Sequence, residues 1–315
     1  MKMFEKLWRA IQNIVEIIAN NHRIGWLVLA IVAFVPFLGI GFGHDFIMHY
    51  WRRTLTGVYG ESTWLPYYGY WLIMPFTLFS PKVGLALWNL VNAVGLALLC
   101  RRWKTNPLFI ALLFPVWYSF GNGQMAGIIA GGVWLALASN PLIAGLGLVI
   151  LSIKPQIGML IALFILLRRF HWKLLVVPAV VFGLSLIQWG WWLPEWLNSV
   201  VVNSNGLRGT AWNATAFPWG LAILPLLWIY RNNPRVWLAA TPLIAPYFAI
   251  YSLALPLAVG TTGWLWALTW VVSLIYVVGG YTPLWSLVSL GLVWVAARSG
   301  YSGEEKTTHG VSASP

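Results

Sequence analysis

Apolar runs of helix length, separated by short polar breaks, succeed one another from Ile24 to Ala297. Stretches of about 20 apolar residues match the roughly 30 Å hydrocarbon thickness of a bilayer. In lipid every backbone N–H and C=O must be paired internally, which leaves helices or a closed barrel. The runs are long and continuous, so they predict helices, and the chain reads as an all-α polytopic integral membrane protein. The first run, Ile24 to Phe42, follows about two turns of amphipathic sequence. No small-residue cleavage site comes after it, so it reads as a retained membrane helix and not a signal peptide.

The later runs are shorter and cut by glycine and proline. Leu65 to Ser80 carries Pro66 and Pro75 and is rich in Tyr and Trp, which favour the membrane interface. It is expected to lie on or dip into the outer leaflet, and Val83 to Cys100 to cross. Further helices are expected over Pro107 to Phe120, Met125 to Ser139, Leu142 to Ile153, Gln156 to Leu167 and Leu174 to Trp191. A first outer loop spans about residues 43–82, and a second runs from Trp192 to Phe217 with Glu195, Asn203, Asn205 and Arg208. Between Arg235 and Ala297 the helices are hard to count. The whole predicts about 10–12 spans in one domain, residues 1–298, and a polar disordered tail over residues 299–315.

Composition changes this picture in one respect. The chain is 60% hydrophobic and 8% charged, with a formal net charge of +12. In a soluble protein that excess would suggest nucleic acid. Here the cations collect between apolar runs, at Arg101-Arg102, Arg168-Arg169 and Arg231 to Arg235, which is the positive-inside pattern of a membrane protein. Those clusters, with Lys2, Lys6, Arg9 and Arg23, are placed in the cytoplasm, and no nucleic-acid partner is expected. The only cysteine, Cys100, excludes an intrachain disulfide.

Asp45 is the only aspartate, and it follows the first apolar run in Gly43-His44-Asp45-Phe46. One reading makes it a helix N-cap for Phe46 to Thr56; the other makes it chemical. Lys154 lies between two apolar runs, where a lysine costs about 2.5–3.5 kcal/mol on insertion scales unless it snorkels or finds a partner. Arg52 and Arg53 are adjacent, so on a helix at most one faces Asp45. His49 is four residues after Asp45 and shares its helical face, whereas the adjacent His44 is expected to point elsewhere. A His/Asp/His metal reading is therefore set aside, and neither metal nor cofactor is expected. Asn213-Ala214-Thr215 fits a glycosylation pattern and reads as accidental.

Several classes are excluded by absence. One aspartate cannot supply the paired aspartates that hold a metal in soluble nucleotide-sugar transferases. No phosphate-binding loop of the Gly-x-x-x-x-Gly-Lys-Ser/Thr kind occurs. Glycoside hydrolysis asks for two carboxylates, and only Glu61 or Glu195 could be the second.

An apolar helix, Asp45-Phe46 in the first outer loop, a Tyr/Pro-rich segment, Gly121-Asn122-Gly123-Gln124 and Lys154-Pro155-Gln156 stand in that order. This arrangement resembles the integral-membrane glycosyltransferases of family 87, the polyprenol-phosphate-mannose-dependent mannosyltransferases with GT-C architecture. The resemblance covers roughly Arg23 to Lys173 and is weak past Arg235. It implies transfer of a hexose such as mannose from a polyprenyl-phosphate sugar to a glycolipid or glycan acceptor on the extracytoplasmic side of the cell membrane. It also implies Asp45 as base. Lys154, with Arg52 or Arg53, would bind the donor phosphate, and Gln124, His49 and Gln156 would contact substrate. Inverting transfer needs one base to take the acceptor proton, and a leaving phosphate needs cations aimed at its developing charge. Three other readings remain at this point: a carrier for a lipid-linked sugar, a surface-polysaccharide polymerase or ligase, and a non-catalytic relative. The last draws on the absence of charge between Arg235 and Arg298.

Overall fold

The computed structural model describes residues 21–38, 43–57, 65–207, 210, 212–280 and 283–299. The amphipathic N-terminal turns, Glu61, Arg208 and the polar tail beyond Ser299 lie outside the described residues. All the regular elements among the described residues are helical, and the only β pairing there is an isolated antiparallel bridge between Asn213 and Ala249. The all-α expectation therefore stands.

The principal helices are α1 (His22–Leu38), α2 (Pro81–Trp103), α3 (Phe114–Asn122), α4 (Ala126–Ala136), α5 (Pro141–Ile153) and α6 (Pro155–Arg168). They are followed by α7 (Val176–Trp189), α8 (Leu193–Leu207), α9 (Pro234–Ile244), α10 (Gly263–Gly279) and α11 (Trp285–Arg298). Among the described residues, two helical stretches, Pro81–Trp103 and Trp172–Trp189, are long and apolar enough to cross a membrane by length and composition, and eight other apolar helices run 10–17 residues. Prolines set many of the starts. Pro81, Pro107, Pro141, Pro155 and Pro234 all occupy first-turn positions, where the missing N–H has no intrahelical partner to lose.

Two expectations need correction. Pro107 to Phe120 is not one helix: it breaks at Leu112 and Leu113 into Pro107–Ala111 and α3, because Pro115 opens a new first turn. The second outer loop is not open chain either, since α8 fills much of it with Glu195 in its first turn. The segment expected at the interface is a short helix, Gly69–Ile73, running into a 3₁₀ turn, Met74–Leu78. At 1.5–2.0 Å per residue it reaches about half the thickness of a hydrocarbon core.

Helix α2 organises the centre. Its Gly95 meets Gly127 of α4 so closely that a Cβ on either would fall 2.0 Å from a backbone oxygen of the other helix. Small residues let helix backbones approach to this degree. Above that crossing, the Asn92 carboxamide oxygen accepts from Gly127 N at 2.9 Å and Ile128 N at 3.0 Å, which pairs free donors in the first turn of α4. One turn earlier Asn89 donates to Ala33 O of α1 and Phe120 O of α3. Trp88, fully buried, donates to Gly123 O at 2.8 Å. Most buried polar groups are paired; through such bonds Trp88 and Asn89 tie Gly123 and Phe120, at the two sides of the Gly121–Asn122 turn, to α2, while Asn92 ties the start of α4.

Candidate functional site

The turn after α3 brings the site together. Gly123 has φ +68°, in the left-handed region, and a Cβ there would lie 2.4 Å from Phe46 Cβ and 2.8 Å from Leu85. Only glycine fits both the torsion and the space. Gly43 N donates to Gly121 O at 2.6 Å, so the backbone before Asp45 is tied to the same turn. Phe46 is fully buried, packed on Trp88 at 5.4 Å between ring centroids, and this contact holds the Asp45 segment in place.

That segment departs from the α-helix expected over Phe46 to Thr56. Residues Asp45–Trp51 form a π-helix, closed by Arg52 N donating to Ile47 O, before an α-helical turn, Arg52–Thr56. Asp45 is the first residue inside the helix and not its N-cap; His44 holds the cap position and makes no side-chain capping bond. The capping explanation for Asp45 is thereby removed. Short π-helical turns are uncommon and recur at functional sites.

Gln124, buried, joins the two charged residues. Its Nε2 donates to Asp45 Oδ2, and its Oε1 accepts from Lys154 Nζ at 2.6 Å and from Tyr50 OH at 3.2 Å. A carboxamide oxygen has two lone pairs, and both are taken. Gln124 was expected to contact substrate, but in this arrangement its oxygen end is committed to holding Asp45 and Lys154. Lys154 occupies the break between α5 and α6, φ −132° and ψ 75°, where the chain cannot continue as helix into Pro155. The lysine is buried and sits 4.9 Å from the Tyr251 ring centroid, a cation–π distance.

These groups line a cavity of about 580 Å³ with His44, His49, Tyr50, Leu65, Tyr118, Asn122, Gln156, Trp212, Tyr247 and Tyr251. Burial lowers the proton affinity of His49, the Asp45 carboxylate opposes this, and His44 and Arg53 add to the lowering. Gln156 is half-buried on the wall. Arg52 and Arg53 are not on the wall: Arg52 is exposed, and Arg53 lies on the side of His49 and Tyr70. His44, expected to point away, has its ring 5.6 Å from that of His49.

The aromatic wall escaped the sequence reading. Tyr118 stacks on Trp212 at 5.8 Å and 13°, and Tyr251 meets Tyr118 at 5.9 Å. Trp212 is held by pairing with the chain near Ala249: Ile250 N donates to Trp212 O, Ala214 N to Phe248 O, and Phe248 N to the Asn213 side chain. Asn213 thus serves the local fold. Tyr247 and Tyr251, both on the cavity wall, come from the stretch that seemed too apolar to complete a site. Pro246, which follows the end of α9 at Ile244, was the available signal.

Comparison with protein-family models, with curated proteins and with solved structures finds no match for this chain.

Proposed function

We propose that the protein is a multi-pass membrane glycosyltransferase that moves a hexose from a polyprenyl-phosphate donor to an extracytoplasmic acceptor. The observation that carries this reading is the chain Asp45–Gln124–Lys154, which sets one carboxylate and one ammonium on the wall of a single aromatic-lined cavity. Asp45 takes the proton of the acceptor hydroxyl as its oxygen attacks the anomeric carbon. The bond from that carbon to the phosphate oxygen breaks on the opposite face, and the departing phosphate gathers negative charge near Lys154. Tyr118, Trp212 and Tyr251 offer flat faces for the apolar side of a sugar ring. The resemblance to family 87 in Asp45-Phe46, Gly123-Gln124 and Lys154-Pro155-Gln156 supports the same assignment.

The surface supports a lipid environment. Only 11% of the Trp172–Trp189 apolar window is buried, and Leu78, Ile187, Trp219 and Val278 are each more than 80% exposed. Apolar side chains spread so widely over a surface fit a hydrocarbon solvent. In this reading the Arg101, Arg168 and Arg231 clusters are cytoplasmic, and Phe46, packed near Gly84 and Trp88 towards the opposite end of α2 from Arg101, belongs to the other side.

The test is transfer of labelled sugar from polyprenyl-phosphate mannose or glucose to a glycolipid pool by protein in lipid, wild type against Asp45→Asn. Loss of a positioned base should slow transfer about 10²–10⁴-fold. Undiminished transfer by the folded Asn variant would remove Asp45 from the chemistry. If wild type and variant bind the donors equally and neither transfers label, the carrier reading takes its place.

A further inference from the structure

We propose that His44, Asp45 and His49 form a three-ligand site for a divalent transition-metal ion of the Zn²⁺ class. One ligand atom from each residue lies within 4.8 Å of the other two. The π-helix is the reason. On an α-helix, residues five apart diverge, and His44 would leave the Asp45–His49 face. The wider i to i+5 turn, closed here by Arg52 N and Ile47 O, brings position 44 back over position 49 while Asp45 keeps its contact four residues on. The two rings accordingly meet edge to face at 5.6 Å.

The donor set selects the ion. Two imidazole nitrogens and one carboxylate suit Zn²⁺, Co²⁺ or Ni²⁺, whereas Mg²⁺ and Ca²⁺ prefer oxygen throughout. Ligand bonds of about 2.0–2.1 Å in a tetrahedral shell place donor atoms about 3.4 Å apart. The observed spread therefore closes with a small rotation of His44, the exposed member of the three. Gln124 already donates to Asp45 Oδ2, which leaves Oδ1 for the ion and fixes the carboxylate's orientation as an outer partner does in metal sites. Three protein ligands leave a position open, and all three residues line the cavity. Water or a phosphate oxygen completes the shell there, and a phosphate would offset the charge the ion adds beside Lys154 and Arg53. Binding of the ion does not rest on the transferase reading, and an ion on Asp45 would lower the carboxylate's basicity, so the ion and the base role of Asp45 exclude each other in one molecule.

The experiment uses the full chain in detergent or lipid, without a polyhistidine tag, titrated with Co²⁺ alone and then with Zn²⁺. Expected are one equivalent of bound Co²⁺ with visible absorption of a low-coordinate ion, its displacement by Zn²⁺, and binding at least about tenfold weaker in His44→Gln and in His49→Gln. His22→Gln and His171→Gln, distant in sequence and outside the cluster, should bind as wild type. Circular dichroism and the elution profile establish that each variant is folded. The proposal is overturned if wild type takes up no stoichiometric ion, if the folded His44→Gln/His49→Gln double variant binds like wild type, or if His171→Gln abolishes uptake. Sugar transfer is measured separately, so failure of the transferase reading would leave these titrations unchanged.

Discussion

Replacing Gln124 with leucine removes the central link of the site at nearly constant volume. Three hydrogen bonds disappear: those from Lys154 at 2.6 Å and Tyr50 at 3.2 Å, and the one to Asp45. Bonds to charged groups contribute about 1.5–3 kcal/mol each and a neutral one about 1 kcal/mol. The lysine term dominates, because Lys154 is only 7% exposed and cannot turn to bulk water. Since these terms are not additive, a stability loss of about 3–5 kcal/mol is expected, measured by thermal unfolding in detergent. Transfer should fall by about tenfold for each 1.4 kcal/mol of lost positioning, chiefly in kcat, since Asp45 would lose its fixed orientation. A double-mutant cycle sharpens the test. Lys154→Met removes the stranded charge, so Gln124→Leu should cost about 1–3 kcal/mol less in that background. If Gln124→Leu melts and transfers within twofold of wild type, or if the two changes add without coupling, the linked triad does not hold the site together.

Gly123→Ala should destabilise the fold by about 2–5 kcal/mol, combining the left-handed torsion with the contact against Phe46 and Leu85; an unchanged melting temperature would refute the tight turn. Asn92→Ala strips the paired acceptor from Gly127 and Ile128 and is expected to cost about 1–2 kcal/mol, read by the same melting assay. Tyr251→Ala removes the ring beneath Lys154 and should weaken affinity for a polyprenyl-phosphate sugar about 2- to 30-fold, while Tyr251→Phe keeps most of it. Equal affinities for the two variants would mean that the ring face plays no part.

The legible part of the site was the part carried by rare residue types in a near-apolar chain. Asp45 and Lys154 stand out because a charge among apolar runs needs a reason, and Gln124 and Gln156 because glycine and proline place them at helix ends. The aromatic wall was not legible in the same way. Tyr118, Trp212, Tyr247 and Tyr251 sit among 23 Trp and 12 Tyr, most of which pack or anchor, and composition cannot say which few face a cavity. Arg52 and Arg53 show the reverse case: local helical geometry allowed one to face Asp45, and neither lines the cavity.

Helix content and the main breaks were settled by the sequence, because apolar runs, first-turn prolines and glycine turns act over a few residues and need no distant partner. Tertiary structure decided where those helices meet. Gly95 and Gly127 set the α2–α4 crossing, Trp88 fixes the Gly123 turn, and Phe46 wedges the Asp45 segment against both. The π-helix at Asp45–Trp51 belongs to that second group. Its wider turn follows no local pattern in His44 to Trp51, and packing on Trp88 and Gly123 accompanies it. That packing turns a lone aspartate between two histidines into a cluster facing Gln124 and Lys154, a convergence of residues 30 and 79 positions apart that no local rule can place.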